Sequence, residues 1–479
     1  MVLPIVDFGA VAPELALTVF ACLLLFAGVF LKENGRAVNP WLALAGVLVA
    51  SAYAACPAEP HVSFSGMYAA DRFTQFFKLM FLLGTGLTIL ISAKYSDDER
   101  INHGEYYALL LFATVGMMIM AAGSDMIVIF LGLELLSISL YALAGYTRMR
   151  AESNEAALKY FLLGGFAAGF LLYGMALIYG STGHTGLFGI AKAVSHGSPN
   201  YTLLTIGSIL LLVGLGFKVA AVPFHQWTPD VYQGSPVPVT AFMSAGPKAA
   251  VLAVMIRVFE QSVAFMNVDW TAWITVLAVM TMTVGNIAAL VQTDAKRMLA
   301  FSSISHAGYA MVGLAAANKG GISAVLLYML VYTFMNIGAF GILALVARKG
   351  EQRTRMADFT GFAYTNPGLA VVMTILVFSL AGIPPMAGFI AKFYIFMSAV
   401  EAGQYFLVFA AVVNSAIGIY YYLRFTVYMY MKDPAEQLPP LKASVGLLLA
   451  LVISLYGVLR LGVAPGPYLE MAAKALLSF

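Results

Sequence analysis

Apolar residues in this chain come in long, nearly unbroken runs, without the alternation of a half-buried strand or the one-sided stripe of a soluble helix. The stretches from Tyr201 to Val222 and from Ile322 to Val346 are representative. A run of about 20 such residues matches a hydrocarbon core of roughly 30 Å at about 1.5 Å of helical rise per residue. Charged or Pro/Gly-rich breaks mark off about fourteen such spans, which predicts an all-α, polytopic membrane protein. The spans run approximately over 10–31, 40–56, 72–94, 105–122, 125–147, 156–180, 201–222, 236–260, 270–291, 297–317, 322–347, 367–400, 404–430 and 444–462.

Two spans do not read as straight helices. The twelfth is too long for one crossing and carries Gly382-Ile383-Pro384-Pro385 at its middle. Proline there removes a backbone donor and clashes with the preceding turn, so a broken helix is expected. The seventh is similar, with Phe217-Lys218 just ahead of Val222-Pro223-Phe224-His225. Spans four to eight and nine to thirteen then read as two copies of one five-helix unit, each with a broken helix and a lysine beside it. Five is odd, so the copies have opposite topology, an arrangement found in transporters. The implied division is an N-terminal three-helix segment (1–104), repeat one (105–260), repeat two (261–432) and a C-terminal helix (433–479). Prolines that kink helices only for packing would leave the same trace.

Composition agrees with the lipid reading: 61% of residues are hydrophobic, 10% are charged, and mean hydropathy is +0.87. A net charge of +3 points to neither nucleic acid nor a polybasic surface. Two cysteines, Cys22 and Cys56, cannot ligate an iron–sulfur cluster by themselves, and no glycine-rich nucleotide loop follows a strand. The first run has Asp7 and Glu14 near its start and no basic flank, so it reads as a retained helix and not a cleaved leader. Connections after odd-numbered spans hold fourteen lysines and arginines, and those after even-numbered spans, with the tail, hold five. By the positive-inside rule the former are cytoplasmic, and both termini lie on the outer side.

Ionisable residues inside the spans carry the candidate chemistry. Nearly every acidic residue falls in a loop or at a helix end; Glu134, about 14 Å into span five at helical rise, is the exception. A carboxyl group there costs several kcal/mol unless protonated, paired or hydrated. It is either a protonated acid bonded to a neighbouring helix or a proton-carrying, charge-coupling site. Lys248 lies at the centre of its span, and Lys218 and Lys392 adjoin the two breaks, where water and freed backbone can solvate an ammonium. Lys159 sits in the first turns of span six and could reach the headgroups, as could Lys78, Arg257 and Arg424 near their helix ends. Burial disfavours a charged lysine and a nearby carboxylate restores it, so Glu134 with Lys218 reads as a switchable pair. Their contact is open at this level. His225, after the first break, and His306, within span ten, suit a proton relay, although a helical histidine also serves packing.

The block Phe224-His225-Gln226-Trp227-Thr228-Pro229-Asp230-Val231-Tyr232-Gln233-Gly234-Ser235-Pro236 resembles the signature of the antiporter-like membrane subunits of respiratory complex I. Ala300-Phe301-Ser302-Ser303-Ile304-Ser305-His306 and Gly382-Ile383-Pro384-Pro385-Met386-Ala387-Gly388-Phe389 are similar to that family too. The likeness runs over essentially the whole chain. Gly246-Pro247-Lys248 stands where the family's L and M branches typically carry histidine-bearing sequence, and the expected long C-terminal lateral helix of the L branch has no counterpart here. The resemblance implies proton translocation in a bacterial inner membrane, driven by quinone reduction elsewhere in an enzyme complex. It gives Glu134, Lys218, Lys248, Lys392 and Lys159 as the charged series, with His225 and His306 at further family positions. It also implies that NADH, FMN, iron–sulfur clusters and quinone are bound by companion subunits and not here. Subunits M and K are the expected neighbours. A multisubunit cation/proton antiporter without electron transfer would use the same charges and is the alternative.

Overall fold

In the computed structural model, which describes residues 7–30, 33–56, 59–197, 199–261, 270–347, 349–351, 353–433 and 440–476, the chain is a bundle of long helices. In order these are α1 (Ala12–Phe30), α2 (Asn39–Ala55), α3 (Arg72–Asp98), α4 (Gly104–Ala122), α5 (Met126–Ala144), α6 (Ala151–Thr182), a short α7 (Leu187–His196), α8 (Tyr201–Val219), α9 (Trp227–Gly234) and α10 (Val237–Gln261). They continue with α11 (Trp270–Leu290), α12 (Ala295–Ala315), α13 (Lys319–Ala347), α14 (Phe362–Thr365), α15 (Pro367–Ala381), α16 (Ala387–Glu401), α17 (Tyr405–Met431), α18 (Val445–Val463) and α19 (Gly466–Leu476). Among the described residues, 13 helices are long and apolar enough to cross a membrane. The pair α15–α16, each 15 residues long, supplies the broken crossing that the prolines demand. A small antiparallel hairpin, β1 (His61–Ser63) with β2 (Tyr68–Ala70), is the one departure from helix among the described residues that no apolar run announced. Lys32 and Arg348, counted in the charge asymmetry, lie outside the described residues.

Polar residues start these helices where hydropathy falls. Asp71, Asp125 and Asp294 accept from the backbone N–H groups of Thr74, Ile127 and Arg297, which would otherwise lack partners at an N-terminus. The bundle is built around α10, α12 and α13, buried over nearly their whole length, whereas α1, α6 and α17 keep broad apolar faces outward. In lipid the apolar surroundings give helices little reason to associate, so close approach and internal polar bonds do more of the work. Side chains on the three central helices are therefore shielded from lipid as well as from water.

Both breaks close alike. Ala220 and Gly382 take left-handed backbone conformations, with φ of 64° and 86°, and their N–H groups reach back to the last turns of α8 and α15. The first broken helix resumes as α9, beyond the limit at residue 222 that hydropathy gave its span. Pro247, by contrast, leaves α10 continuous. Where α16 crosses α15, a Cβ on Gly388 would fall 1.8 Å from the Ser379 carbonyl oxygen. Gly388→Ala is expected to force the two halves apart at a cost of about 1–3 kcal/mol or more. Lower yield of folded protein and a lower melting temperature are the readouts.

Candidate functional site

Glu134, Ser137 and Tyr141 share one face of α5 because they are three and four residues apart. Lys218, at the last turn of α8 and 6% exposed, meets that face, donating to Ser137 Oγ at 2.6 Å and Tyr141 Oη at 3.2 Å. Its ammonium also lies 5.2 Å from the Tyr141 ring centre and 5.5 Å from that of Tyr160. Glu134 lies on the same face of α5 as Ser137 and Tyr141 but makes no ion pair with Lys218 at 4 Å or less, so the contact left open by the sequence is not a direct one. One Glu134 oxygen is buried and has no hydrogen-bond partner among the described residues. That leaves an acceptor for water or a proton. A cleft of about 1050 Å³ is lined by Glu99, Arg100, His103, Arg148 and Tyr141, whose hydroxyl accepts from Lys218.

The second and third lysines are joined by a run of separate hydrogen bonds and ring contacts. Lys248, 2% exposed, donates to the Ser303 carbonyl at 2.7 Å and to its Oγ at 2.6 Å. One turn further along α12, His306 is held between the hydroxyls of Tyr328 (2.6 Å to Nδ1) and Tyr422 (3.1 Å to Nε2), and Tyr422 also bonds Ser302. The His306 ring lies edge-on to Tyr309 at 5.9 Å, and the Tyr309 ring centre lies 4.7 Å from the Lys392 ammonium. Lys392 bends back to donate to the Leu380 and Ala381 carbonyls at 3.2 and 3.0 Å, and to Ser415 Oγ at 3.1 Å. Those carbonyls end α15, where the helix dipole is negative, so the break itself solvates this cation. Among the described residues, neither Lys248 nor Lys392 has a carboxylate within 4 Å.

Between Lys218 and Lys248 the direct hydrogen bonds stop. Tyr160 stacks on Trp227 at 4.5 Å, Trp227 meets Tyr232 at 6.1 Å, and the Tyr232 ring centre is 6.0 Å from the Lys248 ammonium. An aromatic wall separates the two halves of the series, and proton passage there needs water or ring movement.

Lys159 and His225 do not join this interior series. Lys159 is 39% exposed and bridges Glu155 and Asp230, both at 2.7 Å. His225 lies half-buried in the first break, and its Nδ1 has no hydrogen-bond partner. Lys78 and Arg257 contradict the expectation that they reach headgroups. Lys78 pairs with Glu14 at 2.9 Å, and Arg257, fully buried, pairs with Asp71 at 2.8 Å. Both long side chains turn inward because a carboxylate from another element waits there. Arg424, expected at the headgroups too, donates to the carbonyls of Leu290 and Gln292 at and just past the end of α11.

Two acids escaped the sequence reading. Asp230, inside the quoted motif, joins α9 to Lys159 of α6 and to Arg297 of α12 at 2.7 Å each. Glu351, in a loop that gave no signal, accepts from Lys296 at 2.7 Å, Tyr95 Oη and the Val237 N–H at 2.8 Å, and forms an ion pair with Arg150 at 3.0 Å. Lys296 also bonds the Ser235 carbonyl just after α9. The second half of the first broken helix is thus fixed by charges from both proposed repeats.

The comparisons with known proteins follow the same architecture. The family model described as NADH:quinone oxidoreductase/Mrp antiporter, transmembrane, matches residues 123–418. The chain is 50% identical to NADH-quinone oxidoreductase subunit N of Trichlorobacter lovleyi, over 98% of this chain and 97% of the relative. It is 43% identical to NADH-quinone oxidoreductase subunit N 2 of Rhizobium meliloti, over 97% of each. Among solved structures it is similar to a chain of respiratory complex I from Thermus thermophilus, with 36% identity and a TM-score of 0.82 over 96% of this chain and 99% of that one. A chain of the Mrp complex from Dietzia sp. is 22% identical with a TM-score of 0.81 over 96% of each, a likeness of fold.

Proposed function

The chain belongs to the NADH-quinone oxidoreductase subunit N family, and on that premise we propose that it carries protons across the membrane as one subunit of such an oxidoreductase. The observation that carries this reading is the series of three lysines, 6%, 2% and 5% exposed, on α8, α10 and α16. Buried ions stabilise less well than apolar residues of the same size, so their place in a lipid-embedded core points to function. Protons enter through the cleft above Tyr141, load Lys218 under the influence of Glu134, and pass the aromatic wall to Lys248. From there Ser303, Tyr422, His306 and Tyr309 lead to Lys392. Lys159, with Asp230, and His225 act at the rim of this path by positioning α9.

By the positive-inside rule the clustered positive loops favour a cytoplasmic Tyr141 cleft, with both termini on the outer side. Ile127, Leu131 and Ile138, exposed on α5 around Glu134, form the strip against which a neighbouring subunit packs. Subunits M and K are the proposed neighbours, and the NADH, FMN, iron–sulfur and quinone sites belong to companion chains. The relatives named as subunit N favour this reading over a cation/proton antiporter without electron transfer.

Glu134→Gln tests the coupling step. The variant complex is expected to assemble, because the residue makes no ion pair, and to lose proton pumping by about tenfold or more, with Glu134→Asp retaining part of it. Proton uptake per electron in vesicles measures both. A Glu134→Gln complex that pumps at the normal ratio would falsify the scheme.

A further inference from the structure

A buried carboxylate–ammonium pair also lies apart from the series above, in the N-terminal segment and outside the residues that the family model matches. Glu14, in the first turn of α1, and Lys78 of α3 are each 6% exposed, with the ammonium 2.9 Å from one carboxylate oxygen and 3.0 Å from the other. The Tyr68 hydroxyl donates to the first oxygen at 2.6 Å, and Lys78 also donates to the Ala10 carbonyl at 3.1 Å. Tyr68 belongs to β2, so the hairpin is the lid of this pair. Burial, with the Glu14 carboxylate beside it, pushes the Tyr68 hydroxyl well above its ordinary range, and it keeps its proton.

The lid leads to water. Tyr68 is paired in register with Ser63, whose hydroxyl accepts from the Asp7 N–H at 3.0 Å, and Asp7 meets His61 at 2.8 Å with both side chains more than a third exposed. The other flank leads inward. Asp71, at the start of α3, is held by Arg257 of α10, and nine residues back along α10 stands Lys248. That is about 13 Å at helical rise. The groups facing the pair are therefore Tyr68 from the hairpin, Asp71 from the start of α3 and Arg257 from α10, with Asp7 and His61 at the outer rim.

We propose that Glu14 and Lys78 form a second proton-binding site, separate from the Glu134–Lys218 centre, that releases protons on the side of the membrane bearing the hairpin. The inference rests on the proton-carrying reading of the preceding section. The Glu14 carboxylate takes up one proton as its ion pair with Lys78 opens, leaving a neutral acid beside the ammonium. When the pair re-forms, that proton passes to water at the hairpin, and no electron is exchanged. A pair that served only to tie α1 to α3 would be replaceable by neutral side chains of similar size, because apolar packing holds helices at least as well. A proton-binding site would not.

The test uses the assembled complex in vesicles, with proton uptake per electron measured for Glu14→Gln, Glu14→Asp and the double variant Glu14→Gln/Lys78→Met. The expected result is that Glu14→Gln and the double variant fall to the ratio of a Lys248→Met complex. Glu14→Asp should keep pumping, with an altered dependence on pH at the hairpin side. Should Glu14→Gln fail to assemble, the double variant decides, since it leaves no uncompensated charge. A double variant with the wild-type ratio and pH profile overturns the proposal. Glu134→Gln, run in parallel, separates the two ideas: normal pumping there sinks the preceding reading, whereas loss there with normal pumping by the double variant sinks this one alone.

Discussion

Lys248→Met should stop proton movement through the chain while leaving the fold as stable as before or more so. The side chain is 2% exposed, and its ammonium is bonded only to Ser303 among the described residues. Methionine fills a similar volume without a buried charge, and removing an unpaired buried ion relieves a desolvation penalty of several kcal/mol. A purely structural lysine would give the opposite pattern, with lost stability and preserved pumping. The expected fall in proton current is about a hundredfold, the scale on which a positioned proton-transfer group acts. Vesicle pumping at fixed quinone-reduction rate, set beside a melting curve of the purified complex, reads both effects at once. Full pumping by a well-assembled Lys248→Met complex would remove Lys248 from the path.

The largest loss of stability is expected at Glu351. Its side chain is 1% exposed and offsets Lys296, 1% exposed, and Arg150. Glu351→Gln leaves the Lys296 ammonium uncompensated in the core, which costs about 3–5 kcal/mol. Because Lys296 and the Val237 N–H both bind next to the end of α9, the loss should also loosen the first broken helix. Burial works to raise the Glu351 carboxyl, but Lys296 and Arg150 outweigh it and hold the group below the ordinary carboxylate value. The sign for stability follows from that depression. The contribution is complete above the unfolded value near pH 4.3 and is lost as pH falls through the lower folded value. Melting of the purified complex between pH 7 and pH 3 should thus steepen in the wild type below about pH 4 and be flatter in Glu351→Gln. Equal acid sensitivity in the two would place the acid-labile group elsewhere.

Lipid is a strict solvent, and its demands act on contiguous sequence. A span needs about 20 apolar residues, and a proline needs a break, so the crossings and both discontinuities were legible without the third dimension. The positions of Lys218, Lys248 and Lys392 within those spans marked them as costly, and the structure buries all three. The resemblance over the signature blocks agrees with the family membership that the relatives establish. The partners of those charges were another matter. Hydropathy gives the depth of a residue in its own helix but says nothing of which helix faces it. Lys78 and Arg257 were therefore misread as side chains bound for the headgroups, when carboxylates 64 and 186 residues away in sequence draw them inward. Glu351 sits in a polar loop like any surface acid, and only the convergence of α3, α10, α12 and the loop before α6 buries it. The aromatic wall between Lys218 and Lys248 has the same origin, since it joins rings from α6 and α9. Solvent transfer is a property of a segment, and pairing is a property of the packed whole. The sequence by itself therefore determined where the membrane holds this protein, and the tertiary structure alone decided which charges answer one another.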